Sequence, residues 1–251
     1  MSINPVEIPT GAVRYNTDSN KMEVYIGDTW MEVAVSSPNL GDTQSAAGTR
    51  AAFMGGFRDT PDNNTVFDTI DYITIPTAGN AIDFGDLSEP HDYGRNNISS
   101  GTRGVMAGGW PANNDTIDFV TIASLGNALD FGNLNENLGG GPPGASSPTR
   151  GLFCGGYHPS PSLTVRNTIQ FVTIATTGNA QDFGDMTNLR AHAGVSGNST
   201  RILISSGYSD PSTPTTIIDK VTIASLGNAS NFGDASYSGF AKGSTSSPTR
   251  S

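Results

Sequence analysis

A chain of 251 residues can bury one substantial core, or an array of small sheets plus an accessory module, but it is tight for two separate enzyme domains. Thirty-one Gly and fifteen Pro, with abundant Thr, Ser and Asn, favour short strands joined by tight turns over helix. A formal charge of −10, with thirteen basic residues scattered along the chain, would repel a phosphate backbone and excludes nucleic acid as the expected partner.

The first residues, Met1-Ser2-Ile3-Asn4-Pro5, hold no basic patch leading into an apolar stretch, and no apolar run reaches spanning length, so membrane insertion is not expected. Residues 1–40 form their own segment. Thr10 to Tyr15 and Lys21 to Ile26 predict two strands around an Asn-rich turn, and Gly27-Asp28 turns into a third at Trp30 to Val33. Met22, Val24 and Ile26 share one face of this meander. So small a sheet is marginal alone, which makes it an attachment or oligomerisation module with Tyr15, Tyr25 and Trp30 as its assembly residues.

From residue 41 to 251 the chain repeats. Thr-Arg recurs at Arg50, Arg103, Arg150, Arg201 and Arg250, at spacings of 53, 47, 51 and 49 residues, giving units of about 48–100, 101–148, 149–199 and 200–250. A period near 50 with Gly-rich strands points to a propeller-like array. In each unit a short apolar run follows Thr-Arg, as in Gly151-Leu152-Phe153-Cys154, and predicts a strand buried on both faces. The doublets Gly55-Gly56, Gly108-Gly109, Gly155-Gly156 and Ser206-Gly207 then mark strand ends where backbones come close. An alternating β-branched strand, such as Ile117 to Ile122, leads through a Gly-Asn turn into a return strand ending in Phe84, Phe131, Phe183 or Phe232, the expected fillers between sheets. Variable stretches, including Asn133 to Ser147 with its Gly139–Pro143 crossing, predict surface loops suited to binding. The array begins and ends on the same fragment, so its terminal strands could complete one blade together. A four-bladed ring, a five-bladed ring that borrows the meander, and an open stack all fit.

Candidate chemistry is thin. The repeated arginines occupy one position in every unit, which favours pairing with Asp or capping of carbonyls over a catalytic cluster. Asp83/Asp86, Asp130/Asn133, Asp182/Asp185 and Asn231/Asp234 are ordinary turn formers beside Gly, and His91, His158 and His192 lack metal-ligand spacing, so no metal or other cofactor is expected. Cys154 aligns with Met54, Ala107 and Ser205 and reads as packing. Trp110, Tyr157 and Tyr208, with Phe57 at the matching place, sit just past the doublets, where a ring could stack on a sugar or fill space between blades.

The Gly-Gly doublet, the following hairpin and the Arg before each inner strand resemble kelch-type propeller repeats in a shortened form. The wording Asn167-Thr168-Ile169-Gln170-Phe171-Val172-Thr173-Ile174 through Gly178-Asn179-Ala180 to Asp182-Phe183-Gly184-Asp185 resembles repeats in structural proteins of tailed phages, particularly those of marine and cyanobacterial hosts. That resemblance covers roughly residues 48 to 250. The segment Gly11 to Asn16, with Glu23-Val24-Tyr25 and Gly27-Asp28-Thr29-Trp30, is similar to a short β-module of phage tail-fibre proteins. Together they imply an all-β protein, a kelch-like propeller of four or five short blades behind a meander. They also imply a non-enzymatic virion component, a tail fibre or tail appendage presenting loops for host attachment. Its partners would be other virion proteins, a host surface glycan and further copies of itself, as a trimer if it belongs to a fibre. A capsid decoration protein is the alternative, and a glycan-cleaving propeller enzyme would require two acids facing one pocket.

Overall fold

The computed structural model describes residues 8–17, 21–32, 49–58, 65–92, 97–110, 114–138, 140, 142–158, 164–210 and 213–246. The described chain is all-β and divides into two compact units, Met1–Pro38 and Asn39–Ser251.

The smaller unit is a three-stranded antiparallel sheet of β1 (Val13–Asn16), β2 (Lys21–Ile26) and β3 (Thr29–Glu32). Register places Arg14 opposite Glu23 and Tyr25 opposite Trp30, which gathers these four side chains on one face. Arg14 pairs with Glu23 at 2.8 Å and lies 4.2 Å over the Trp30 ring, while Tyr25 meets Trp30 edge-on. Asn16 and Arg14 both donate to the Glu23 carboxylate and hold its pKa below the ordinary glutamate value. Val13, Tyr15, Met22, Ile26 and Met31 are exposed.

The larger unit holds four antiparallel meanders. The first sheet is β4 (Arg50–Arg58), β5 (Thr65–Thr74) and β6 (Ile82–Asp86). The second is β7 (Asn97–Ser99), β8 (Arg103–Gly109), β9 (Asn114–Thr121) and β10 (Leu129–Asn133). The third is β11 (Gly144–Ser146), β12 (Arg150–His158), β13 (Thr164–Thr173) and β14 (Gln181–Asp185). The fourth is β15 (Gly194–Gly197), β16 (Arg201–Ser205), β17 (Ile217–Thr222) and β18 (Ser230–Asp234). Alternation along β9 and β13 sends one side of each strand toward the preceding sheet and the other toward the next.

Three apolar layers hold the sheets together. Met54, Tyr72 and Phe84 pack with Met106 and Val120; Val105, Phe119 and Phe131 with Phe153, Val172 and Ile174; and Leu152, Cys154 and Phe183 with Ile204, Val221 and Ile223. The two middle sheets are therefore covered on both faces. The first and fourth are covered on one.

The structure corrects several sequence expectations. Short strands β7, β11 and β15 precede Thr102-Arg103, Thr149-Arg150 and Thr200-Arg201, so these sheets run out of phase with the sequence units and the Asn133–Ser147 stretch contains a strand. Its Gly-Pro crossing is packed in: Gly140, Pro142 and Pro143 are buried, Gly140 against the Tyr157 ring. Three of the doublets are bulges inside the sheets, with register shifting between Met54 and Gly56, Ala107 and Gly109, and Cys154 and Gly156, whereas Ser206-Gly207 follows the end of β16 at Ser205, as expected. The expected close approach is there, since a Cβ on Gly55 (φ +63°) would stand 2.6 Å from the His91 carbonyl oxygen. Phe84, Phe131 and Phe183 are 2–3% exposed, as fillers should be, but Phe232 is 50% exposed because no sheet among the described residues covers it.

Candidate functional site

The repeated residues converge on a joint between consecutive sheets. The Gly-Asn turn predicted to close a hairpin also runs along the last strand of the preceding sheet. Gly126 N–H donates to Phe84 O and Ala128 N–H to Asp86 O, at 2.9 and 2.7 Å. The Asp86 N–H donates back to Asn127 Oδ1 at 3.2 Å. The pattern returns at Gly178-Asn179-Ala180 on Phe131 and Asn133, and at Gly227-Asn228-Ala229 on Phe183 and Asp185. Contact this close explains the Gly after Phe84, Phe131 and Phe183: a Cβ on Gly132 (φ +142°) would stand 2.6 Å from the carbonyl carbon of Gly178.

The arginines complete the joint from the other side. Nη1 of Arg50, Arg103 and Arg150 donates to the carbonyls of Ile122, Ile174 and Ile223, each in the following sheet, at 2.9, 2.9 and 2.7 Å. The same guanidiniums lie 4.5–4.8 Å over the rings of Tyr72, Phe119 and Phe171 in their own sheets. Of the two roles expected for these arginines, carbonyl capping is the one the geometry makes. Arg201 is exposed, and Lys220 stands where the other sheets carry the ring.

A buried polar contact forms the third part. Ser88 N–H and Oγ donate to the Asp118 carboxylate, Thr187 does the same to Asp219, and Asn135 N–H donates to Gln170 Oε1. Arg190 forms a fully buried ion pair with Asp219; the equivalent position in the first joint is His91, where the pull of Asp118 opposes burial, and in the second, whose acceptor is the neutral Gln170, it is Leu138. Sequence reasoning missed these pairs. Their signal was there: a Ser, Thr or Asn four residues after each Phe, against an Asp or Gln after each β-branched Ile.

Other candidates fall into place around this frame. Burial pushes the Cys154 thiol up to about 12, so it stays protonated and inert as a nucleophile. Tyr157 is buried with Val165 and Ala191, its ring 5.9 Å from His192, which in turn lies 5.1 Å from Tyr208. Tyr157 is therefore packing and presents no ring face to a sugar. Trp110 is 42% exposed and meets half-exposed Phe57 edge-on at 6.4 Å, an aromatic pair reachable from solvent. Among the described residues no group of three His, Cys, Asp or Glu could hold a metal ion, and Asp130 and Asp182 instead accept from Gly132 and Gly184 N–H in their own turns.

A cavity of about 480 Å³ is bordered by residues from all four repeat sheets and by the C-terminal segment. Its wall is rich in hydroxyls, from Ser99, Ser146, Ser196, Ser244 and Ser246, with Arg50 at one side. Ser146 Oγ donates to Ser99 O at 2.7 Å, and Ser246 Oγ donates to Gly197 O at 2.5 Å in the same manner. No protein-family model matches the chain, and no curated protein matches it either.

Proposed function

We propose that the chain is a non-enzymatic structural component of a tailed-phage particle, a tail fibre or tail-associated appendage. In this reading its repeat sheets form a short kelch-like propeller array, the meander attaches it to its neighbours, and loops at the sheet ends meet the host surface. The observation that carries the proposal is that the repeated residues are spent on joints. Arg, Asp, Asn and Gly at equivalent positions satisfy one another between sheets, which is the role of a scaffold. The phage part rests on the repeat wording and on the tail-fibre-like Gly11–Trp30 segment. Trp110 with Phe57 offers the exposed rings that a host glycan could stack on.

Labelling purified particles with antibodies against this chain, viewed by electron microscopy, tests the assignment. Label on the tail supports it, label on the head makes the chain a decoration protein, and unlabelled particles reject it. Soluble protein should also compete with phage for host cells, and a Trp110→Ala variant should compete less well.

A further inference from the structure

The larger unit makes one joint three times and carries, on its two outer faces, the halves of a fourth. On the first sheet, Ile75 is 61% exposed, whereas Ile174 and Ile223, its counterparts, are 1% and 2% exposed because Phe131 and Phe183 of the preceding sheets cover them. Phe53 is 57% exposed where Phe153 is 1% exposed. On the fourth sheet Phe232 is 50% exposed, against 3% for Phe183. Gly233 is the last strand glycine of the series, and a Cβ there would meet nothing within 4 Å among the described residues, whereas Gly85, Gly132 and Gly184 are each pressed against the next turn. The polar parts match too: Asp71 is exposed on the first face and Ser236, four residues after Phe232, on the last. Charge is complementary, with acidic Asp71 on one face and Arg201 and Lys220 on the other.

We infer that the last face of one copy docks on the first face of a second copy, head to tail, making between chains the joint that is made three times within each. Phe232 then covers Ile75 of the second copy, Arg201 caps its Ile75 carbonyl, and Ser236 donates to its Asp71. A second copy is favoured over the chain's own first sheet because Ile75, Phe53 and Phe232 stay 50–61% exposed with all three inner joints made, so the two outer faces do not cover each other within the chain, and a head-to-tail contact between copies is the arrangement that covers both. The C-terminal segment agrees. Ser244 and Ser246 bond to Val195 and Gly197 of β15 as Ser146 of β11 bonds to Ser99 of β7, so the segment already stands in the place of a short strand for the sheet that comes next. The first sheet has no such strand among its described residues. Register carried over from Ser146 opposite Gly151 sets Ser246 opposite Ala51 of the second copy.

The test uses two full-length variants, Asp71→Cys and Ser236→Cys, at exposed positions equivalent to the Asp118–Ser88 contact, in a chain whose own cysteine is buried. Mixed in equal amounts and mildly oxidised, they should give a dimer whose disulfide joins residues 71 and 236, identified by peptide mass spectrometry. A single chain carrying both substitutions should give a ladder of linked oligomers. A mixture without that heterodimer overturns the inference, as does a double variant that yields only internally linked monomer, which would mean that the faces meet within one chain. Adding Phe232→Glu to the Ser236→Cys chain should cut the heterodimer at least about tenfold at an unchanged melting temperature, since a buried carboxylate costs more than one decade of affinity. An undiminished yield would count against the joint.

Discussion

The middle sheets and the outer faces of the same array differ in what covers them, although their sequences follow one plan. Every described position of β12 from Gly151 to Tyr157 is buried, while in β4 Met54 alone is buried and the other positions are half-buried or exposed. The difference teaches that the repeat does not stabilise a sheet by itself. A sheet of this kind becomes a core only when another supplies its Gly-Asn turn, its Arg-capped carbonyl and its hydroxyl donor. Paired substitutions at equivalent positions, one inside and one at an end, measure that dependence without a change of chemistry.

The largest contrast belongs to the buried acids. Asp219 and Arg190 are fully buried, and Arg190 also donates to the carbonyls of Ile204 and Ile217. Asp219→Ala leaves that guanidinium without its counter-charge and should cost about 3–5 kcal/mol in chemical denaturation. Asp71→Ala, at the equivalent exposed position, should stay within about 0.5 kcal/mol. Equal costs would mean that the acid serves its own sheet and not the joint.

Next come the aromatic fillers. Phe131→Ala or Phe183→Ala removes a ring from between two sheets and should cost about 3–5 kcal/mol. Phe232→Ala should cost less than about 1 kcal/mol in dilute protein, because half of the ring is already in water. A Phe232 cost that climbs with protein concentration would sharpen the comparison, tying the exposed ring to association.

The joint glycines isolate close approach from backbone strain. Gly132 and Gly233 have φ of +142° and +152°, so Ala is strained at both. Only Gly132 faces the next turn at 2.6 Å, and Gly132→Ala should therefore exceed Gly233→Ala by about 1–3 kcal/mol. A difference near zero would show that the turn can back away.

Strand existence was legible because β-branched alternation and Gly spacing act locally. Ile117 to Ile122 announces β9 whatever surrounds it. The short strands β7, β11 and β15 were not legible, since Asn-Ile-Ser or Gly-Ala-Ser has no strand propensity of its own and is held by the neighbouring strand and by Ser146 reaching Ser99. Likewise Gly126-Asn127-Ala128 has the composition of any turn, and its second function exists only once β6 of the preceding sheet lies beside it. The arginines were half legible. Identical placement in every unit argued for structure, yet which carbonyl each one meets depends on sheet stacking, about 70 residues away in sequence, as Arg103 to Ile174 shows. Phe232 misled because its repeat position is that of a filler, and a repeat says nothing about which unit comes last.

The smallest effect concerns pH and separates His91 from its counterparts Leu138 and Arg190. Burial is the main influence on His91 and lowers its pKa below the ordinary histidine value, against the opposing pull of Asp118 and Glu89. The folded state thus holds this imidazole neutral where the unfolded chain, with a pKa of about 6.5, would take up a proton. Stability from this group is fully present above pH 6.5 or so and is lost as pH falls through the folded pKa. Denaturation of the intact chain at pH 7.5 and pH 5 should therefore show a loss that is smaller in a His91→Leu variant, which places at the first joint the residue that the second joint already uses. Carboxylates common to both proteins cancel in the difference. An identical loss in the two would mean that His91 is protonated as readily in the fold as outside it, and that the first joint tolerates a buried charge on this side chain as the third tolerates Arg190.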